Sequence, residues 1–262
     1  NCHPLDNQSV KNETAKCGII LACLNGDIDN FQELKREFEL DGDRIQDPIT
    51  TDTKIIPLTI QKFIAQGHPV AEAFRRAVNK FEGSHAISMH TNLAPGKLFL
   101  AQKGSGQALF VGIAADHYIP ASEVYGFVEE TQQYLKLDGE TVVAGRQGST
   151  QGQLVILNQQ SAGGLAGMTA MYYDGTAIEL TADDLKQTEI TSRDIDRQAY
   201  AHYFLKEISE SPDSVEKTLQ TRWKVSADGK QHSSIVLDDR VIPPALAHAL
   251  QEGLESEGIH TY

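Results

Sequence analysis

The sequence predicts an α+β fold built in layers, on three observations. Short apolar runs of strand length recur through the middle of the chain. At least two amphipathic helices precede most of them, and charged helical text fills the last third. An apolar helix stripe and an apolar sheet face must each be buried against another element, so this order of elements implies stacked layers. A boundary is expected between about Leu180 and Gln198, giving a first domain over 1–190 and a helical linker over 191–262.

Ile19 to Leu24, after a polar loop (Asp6 to Lys16), is an apolar run of strand length. From Ile28 the period changes: Ile28, Phe31, Leu34 and Phe38 recur every three to four residues, as on one helix face. "TTDTKIIPLTIQKFIAQG" opens a second helix, with Asp52 as a candidate N-cap, Pro57 near the first turn and Gly67 as a stop. "HPVAEAFRRAVNKFEG" is a third, with Val70, Phe74, Ala77, Val78 and Phe81 on one face. "HAISMH", "KLFLAQK" and "QALFVGIA" then read as strands, the last two parted by Gly104-Ser105-Gly106. "PASEVYGFVEETQQYLKL" reads as a helix and "QLVIL" as a strand. "MTAMYYDGTAIEL" is a hairpin with Asp174-Gly175 at its tip. From about Thr181 the text is helical and charged.

Composition bounds the function. Forty per cent apolar and 23 % charged residues describe an ordinary globule, and no run approaches the length of a membrane span. The net charge of −13 opposes a nucleic-acid surface or an anionic membrane as partner. Three cysteines (Cys2, Cys17, Cys23) form no framework and no leader is evident, so a reducing cytoplasm is the expected compartment. Asn12-Glu13-Thr14 matches a glycosylation sequon and is read as chance. Neither CxxC nor HExxH occurs, and no metal or cofactor is expected.

The chemistry concentrates in "KCGIILACLNGDIDNFQEL". Asn-Gly is ordinarily a hairpin turn, but the text after Gly26 has helical period and begins with the cap-type residues Asp27 and Asp29. Asn25-Gly26 is therefore expected at a strand-to-helix corner. There glycine presents an unobstructed N–H and asparagine a side-chain amide, two donors for a developing oxyanion. Cys17 invites reading as a nucleophile, yet eight extended residues would separate it from Asn25 by roughly 25 Å. A nucleophile and its oxyanion donors must both reach one reacting atom, so Cys17 and Cys23 are read as strand residues. Asp52 carries two readings that are compatible. It caps a helix, and its carboxylate takes the α-ammonium of an amino-acid substrate.

In order, "NCHP", a strand into "LNGDIDNFQEL", "TTDTKII", "FEGSHAI" and "HYFLKEISESPDSVEKTL" resemble the glutaminase half of the glutamine:fructose-6-phosphate amidotransferase family. That family belongs to the class II, N-terminal-nucleophile amidotransferases, and the resemblance runs from Asn1 to about Trp223. It implies a four-layer α-β-β-α sandwich of the N-terminal-nucleophile hydrolase type, incomplete here, followed by a helical linker. It implies that Asn25 and Gly26 are the oxyanion pair, that Asp52 holds the glutamine amino group, and that Thr51 is its polar neighbour. The implied reaction is thiolate attack on the glutamine amide, releasing ammonia to a sugar-phosphate acceptor. The acceptor would sit in a separate isomerase domain, and the full-length protein would be a homo-oligomer.

The departures are specific. The family's first-residue cysteine and its Arg-Trp-type carboxylate-binding segment have no counterpart in residues 1–262, which are therefore expected to be inert alone. Leu24 stands where the family has His, and Lys54 where it has Glu. An insertion separates Pro4 from Ile19. A non-catalytic module for ligand sensing or docking is the alternative these departures support. A different class II amidotransferase is disfavoured by Lys206-Glu207-Ile208. Gly104-Ser105-Gly106 is expected to be a strand turn rather than a phosphate cradle. His202, Trp223 and Tyr172-Tyr173 are expected to be packing residues.

Overall fold

The computed structural model describes residues 2–11, 18–146, 148–190, 196–219, 223–224, 234–235 and 244–256. The chain divides into two units, Asn1–Ile195 and Asp196–Tyr262. The first runs β1 (Leu5–Asp6), β2 (Ile20–Gly26), α1 (Phe31–Leu40), α2 (Ile55–Ala65), α3 (Val70–Asn79), β3 (His85–Thr91), β4 (Lys97–Lys103), β5 (Phe110–Ile113) and β6 (Tyr118–Ala121). It continues with β7 (Gln133–Lys136), β8 (Val142–Gly145), β9 (Gly148–Gln151), β10 (Gln153–Asn158), β11 (Met168–Tyr172), β12 (Ala177–Ile178) and β13 (Leu185–Gln187).

Seven strands pair antiparallel in the order β1-β2-β3-β4-β10-β11-β12, and four more in the order β13-β7-β5-β6. The larger sheet is buried on both faces, which is why "KLFLAQK" reads as a nearly continuous apolar run rather than an alternation. Phe99, Ala101, Leu154 and Ile156 point to one side, into a core closed by Ile55, Ile56, Ile60, Phe74, Ala77, Val78 and Phe81 of the helical layer. Phe74 and Phe99 meet edge-on with ring centres 5.8 Å apart. Leu100, Val155 and Leu157 point to the other side and meet Val111, Ile113 and Leu135 of the smaller sheet. Among the described residues of the first unit the layer order is thus helix, sheet, sheet, three of the four layers expected and in the expected sequence.

Residues 118–137 correct the sequence reading. The helix expected over "PASEVYGFVEETQQYLKL" is instead β6, a single 3₁₀ turn at Val124–Gly126, and β7. Tertiary packing overrides the local pattern. Phe127 is buried against Gly112, where an added Cβ would lie 2.6 Å from its ring. Tyr134 completes an aromatic cap with Phe110 and Phe127, at centroid distances of 5.6 and 5.7 Å. A helix there would lift Phe127 off the sheet. The run from Thr181 opens with a single 3₁₀ turn, Ala182–Asp184, and then forms β13, which pairs with β7, in place of the helix expected there. The hairpin at Asp174-Gly175 is present, with Gly175 at φ +86°.

The second unit contains α4 (Tyr203–Leu219), β14 (Trp223–Lys224), β15 (Ser234–Ile235) and α5 (Pro244–Ser256). His202 is exposed and precedes α4, so it is not the packed helix-face histidine expected. The Trp223 side chain, Cys17 and the Asn12 sequon lie outside the described residues. No helix among the described residues is long and apolar enough to cross a membrane.

Candidate functional site

β2 ends at Gly26, and the chain turns through Asp27–Asn30 into α1, a strand-to-helix corner as expected. Asn25 and Gly26 remain paired with Ala86 and His85 of β3, so they close the strand rather than form a hairpin tip. Gly26 is at φ +118°, a conformation that favours glycine. A Cβ there would lie 2.3 Å from the Ser84 carbonyl oxygen and 2.9 Å from Gln107 Cγ. No other residue fits.

The direction of the Gly26 N–H follows from ladder alternation. The Ile20 N–H donates to Asn7 Oδ1 on the β1 side of β2, so those of Ala22, Leu24 and Gly26 share that side. The Asp27 N–H donates to the Ser84 carbonyl on the β3 side, as the alternation requires. β1 is only two residues long and pairs with Leu21 and Ala22, so the Gly26 N–H has no strand partner on that side among the described residues. The Asn25 side chain is exposed and has no hydrogen-bond partner among the described residues. Both groups are thus available as donors.

Asp52 is brought to this corner from the start of the helical layer. Its Oδ2 accepts the Ile28 N–H at 2.9 Å, two residues beyond Gly26. The expected N-cap role is corrected: Asp52 opens a 3₁₀ turn, Asp52–Lys54, that leads into α2, and makes no side-chain cap. Thr51 Oγ1 lies 3.2 Å from Asp52 Oδ1 and 3.3 Å from Thr53 Oγ1. Thr53 is buried, and its hydroxyl meets His3 Nε2 at 2.9 Å.

Both departures from the family pattern are satisfied structurally. Leu24 packs into the helix-side core. Lys54 is buried and donates to Asp6 Oδ1 and the Asp6 carbonyl at 2.8 and 2.9 Å. Burial pushes the Asp6 carboxyl up, but the hydrogen bond and charge of Lys54, with the Gln8 N–H, outweigh it and hold Asp6 below the usual carboxylate range. The pair pins β1 beside the turn that carries Asp52.

The turn at Gly104-Ser105-Gly106 is a strand turn, as expected, and it borders the corner. Ser84 Oγ accepts the Gly106 N–H at 2.8 Å, and the Ser84 carbonyl takes Asp27. One serine therefore fixes both pieces. Cys23 lies on β2, also as expected, and shares a face with Asn25. Both line a cleft of about 180 Å³ between the sheets, with Ser88, Leu109, Pro120 and Ser122. Three features were not foreseen: the Thr53–His3 contact, the Ser84 bridge and the cleft at Cys23. His3 and Thr53 both sit in the quoted motifs, but nothing local joins residues 50 positions apart. Among the described residues no group of three or more His, Cys, Asp or Glu is placed to hold a metal ion.

A family model described as a glutamine amidotransferase domain matches residues 4–129, a span that takes in the corner, Asp52 and the Gly104 turn. Over those residues the chain is similar to glutamine amidotransferase domains. It is 29 % identical over 222 residues to the glutamine–fructose-6-phosphate aminotransferase [isomerizing] of Bacillus subtilis, covering 83 % of this chain and 32 % of that protein. It is 30 % identical over 223 residues to the protein of that name from Methanothermobacter thermautotrophicus, covering 85 % of this chain and 32 % of that one. The chain thus spans about a third of the length of these curated relatives. The solved allosteric regulatory enzyme of purine biosynthesis superposes with a TM-score of 0.50 at 21 % identity, over 66 % of this chain and 31 % of that one. That likeness establishes a shared α+β fold.

Proposed function

We propose that residues 1–190 are the glutamine-hydrolysing portion of a glucosamine-6-phosphate synthase-like amidotransferase. In this reading Asn25 Nδ2 and the Gly26 N–H receive the oxyanion, and Asp52 grips the substrate ammonium with Thr51 beside it. The observation that carries the reading is the Asp52–Ile28 hydrogen bond. It holds a carboxylate next to a pair of uncommitted donors, across 24 residues of sequence. Charge-assisted contacts of this kind orient a zwitterionic ligand as well as bind it.

The chemistry is acyl transfer. A thiolate attacks the side-chain amide carbon, and the C–N bond breaks as ammonia leaves with a proton. Water then cleaves the thioester to glutamate and free thiol. The nucleophile is an N-terminal cysteine as in the resembled family, outside residues 1–262. Ammonia passes to a sugar phosphate in a separate isomerase domain, reached through the linker at 191–262, in a homo-oligomeric cytoplasmic protein.

The test is ammonia release from glutamine by the full-length gene product, with residues 1–262 as the comparison. Turnover by the first and none by the second supports the reading; none by either, with a first-residue cysteine confirmed by mass, removes it. The second reading, a sensing or docking module, draws on Leu24 and Lys54, which are spent on packing and on Asp6. Calorimetry separates the two: glutamine binding without turnover supports sensing, and no binding supports docking.

A further inference from the structure

Four side chains lie in series beside the corner: His3, Thr53, Thr51 and Asp52, with contacts of 2.9, 3.3 and 3.2 Å. Counting protons assigns a direction to the series. An ionised carboxylate only accepts, and a threonine hydroxyl has one proton to give. The Thr51 proton must go to Asp52 Oδ1, so the contact between the two hydroxyls is donated by Thr53. That uses the single Thr53 proton. The 2.9 Å contact to His3 must then be donated by the ring, which fixes a proton on His3 Nε2.

We propose that this one-way relay, His3 to Thr53 to Thr51 to Asp52, sets the rotamer of the carboxylate that receives the substrate ammonium, with His3 and Thr53 as positioning residues. The proposal rests on the role given to Asp52 above. With Oδ1 held by Thr51 and Oδ2 by the Ile28 N–H, the carboxylate plane is fixed before ligand arrives. Each oxygen keeps a lone pair for the ammonium. Preorganisation of this kind acts on affinity, because the ordering cost is met on folding rather than on binding. Thr53 is 1 % exposed, so its hydroxyl has no solvent to fall back on and the relay holds its geometry. Thr51 and Asp52 would otherwise be free to turn toward water at the mouth of the site.

Two measurements test this separately from the glutaminase reading. In the full-length gene product, Thr53→Val and His3→Ala are expected to raise KM for glutamine about tenfold, the worth of one net hydrogen bond, with kcat within about twofold. Thr53→Ser and His3→Gln, which keep a hydroxyl and an N–H donor, are expected to stay within about twofold of the parent. A parental KM for Thr53→Val, or equal damage from Thr53→Ser, would overturn the proposal. The second measurement uses residues 1–262 labelled with ¹⁵N-histidine. Neutral His3 is expected to carry its proton on Nε2, and Thr53→Val, but not Thr53→Ser, to shift its ring-nitrogen resonances. A proton on Nδ1, or resonances indifferent to Thr53→Val, overturns the relay whatever glutamine does. If instead Asp52→Asn leaves glutamine affinity unchanged while the histidine signals behave as expected, the role of Asp52 fails and the relay is structural only.

Discussion

The two ends of the seven-stranded sheet differ in a way that space alone would rank wrongly. At the end where β2 stops, the cleft beside Asn25 measures about 180 Å³. At the opposite end, around His90, Lys97, Asn158 and the turn before Tyr118, the cavity measures about 570 Å³. The larger cavity has the less directed chemistry. His90, Lys97, Asp116 and His117 stand exposed, and Asp116 and His117 satisfy each other at 2.6 Å. The smaller cleft is lined by the Asn25 amide, partnerless among the described residues, which leads into Gly26 at positive φ and, two residues on, the Ile28 N–H that holds the Asp52 carboxylate. Volume records where packing left room. Function follows the orientation of polar groups that the fold keeps uncommitted.

The contrast can be broken most forcefully at Asn25. Asn25→Ala in the full-length gene product is expected to lower kcat by about 10² to 10³, the usual cost of one oxyanion donor, with KM nearly unchanged. A kcat within a few-fold of the parent would move the oxyanion site elsewhere. Gly26→Ala comes next, since its Cβ meets the Ser84 carbonyl and its φ is positive. Urea unfolding should show a loss of about 2–3 kcal/mol, together with lost turnover.

His85, the strand partner of Gly26, gives a smaller and pH-dependent effect. Burial, with a lesser contribution from the Lys103 charge, pushes its pKa down from 6.5 to about 4. The unfolded chain therefore binds a proton that the folded chain refuses between those values. The His85 contribution to stability is complete above pH 6.5 and is lost as pH falls toward 4, reaching about 2 kcal/mol at pH 5. Urea unfolding of parent and His85→Phe at pH 7 and pH 5 should differ by that amount in pH sensitivity, with the parent the more sensitive. At the far end, Lys97→Ala and His90→Ala are expected to leave kcat and KM within about twofold of the parent, as measured by ammonia release. A larger change would return the far cavity to the account.

Much of this molecule could be read in its residues, and the failures have physical causes. Phe74, Ala77 and Val78 announced the buried face of α3, and Asp174-Gly175 announced its hairpin, because both signals are local. The Asn25-Gly26 corner was legible because the period changes on either side of it. Residues 118–137 were misread because Phe127 is placed by Gly112, a contact that no window around Phe127 contains. The site divides in the same way. Asn25, Gly26, Thr51 and Asp52 lie in short motifs, whereas the Ile28 N–H that holds Asp52, the Ser84 bridge and the His3 contact join distant segments.

The most direct test of the central claim is a crystal structure of the full-length protein with glutamate bound. Its ammonium should lie within hydrogen-bond distance of the Asp52 carboxylate, with the side-chain carboxyl facing Asn25 Nδ2 and the Gly26 N–H. Glutamate seated around His90 and Lys97, or bound at the corner with Asp52 turned away from it, would contradict the account.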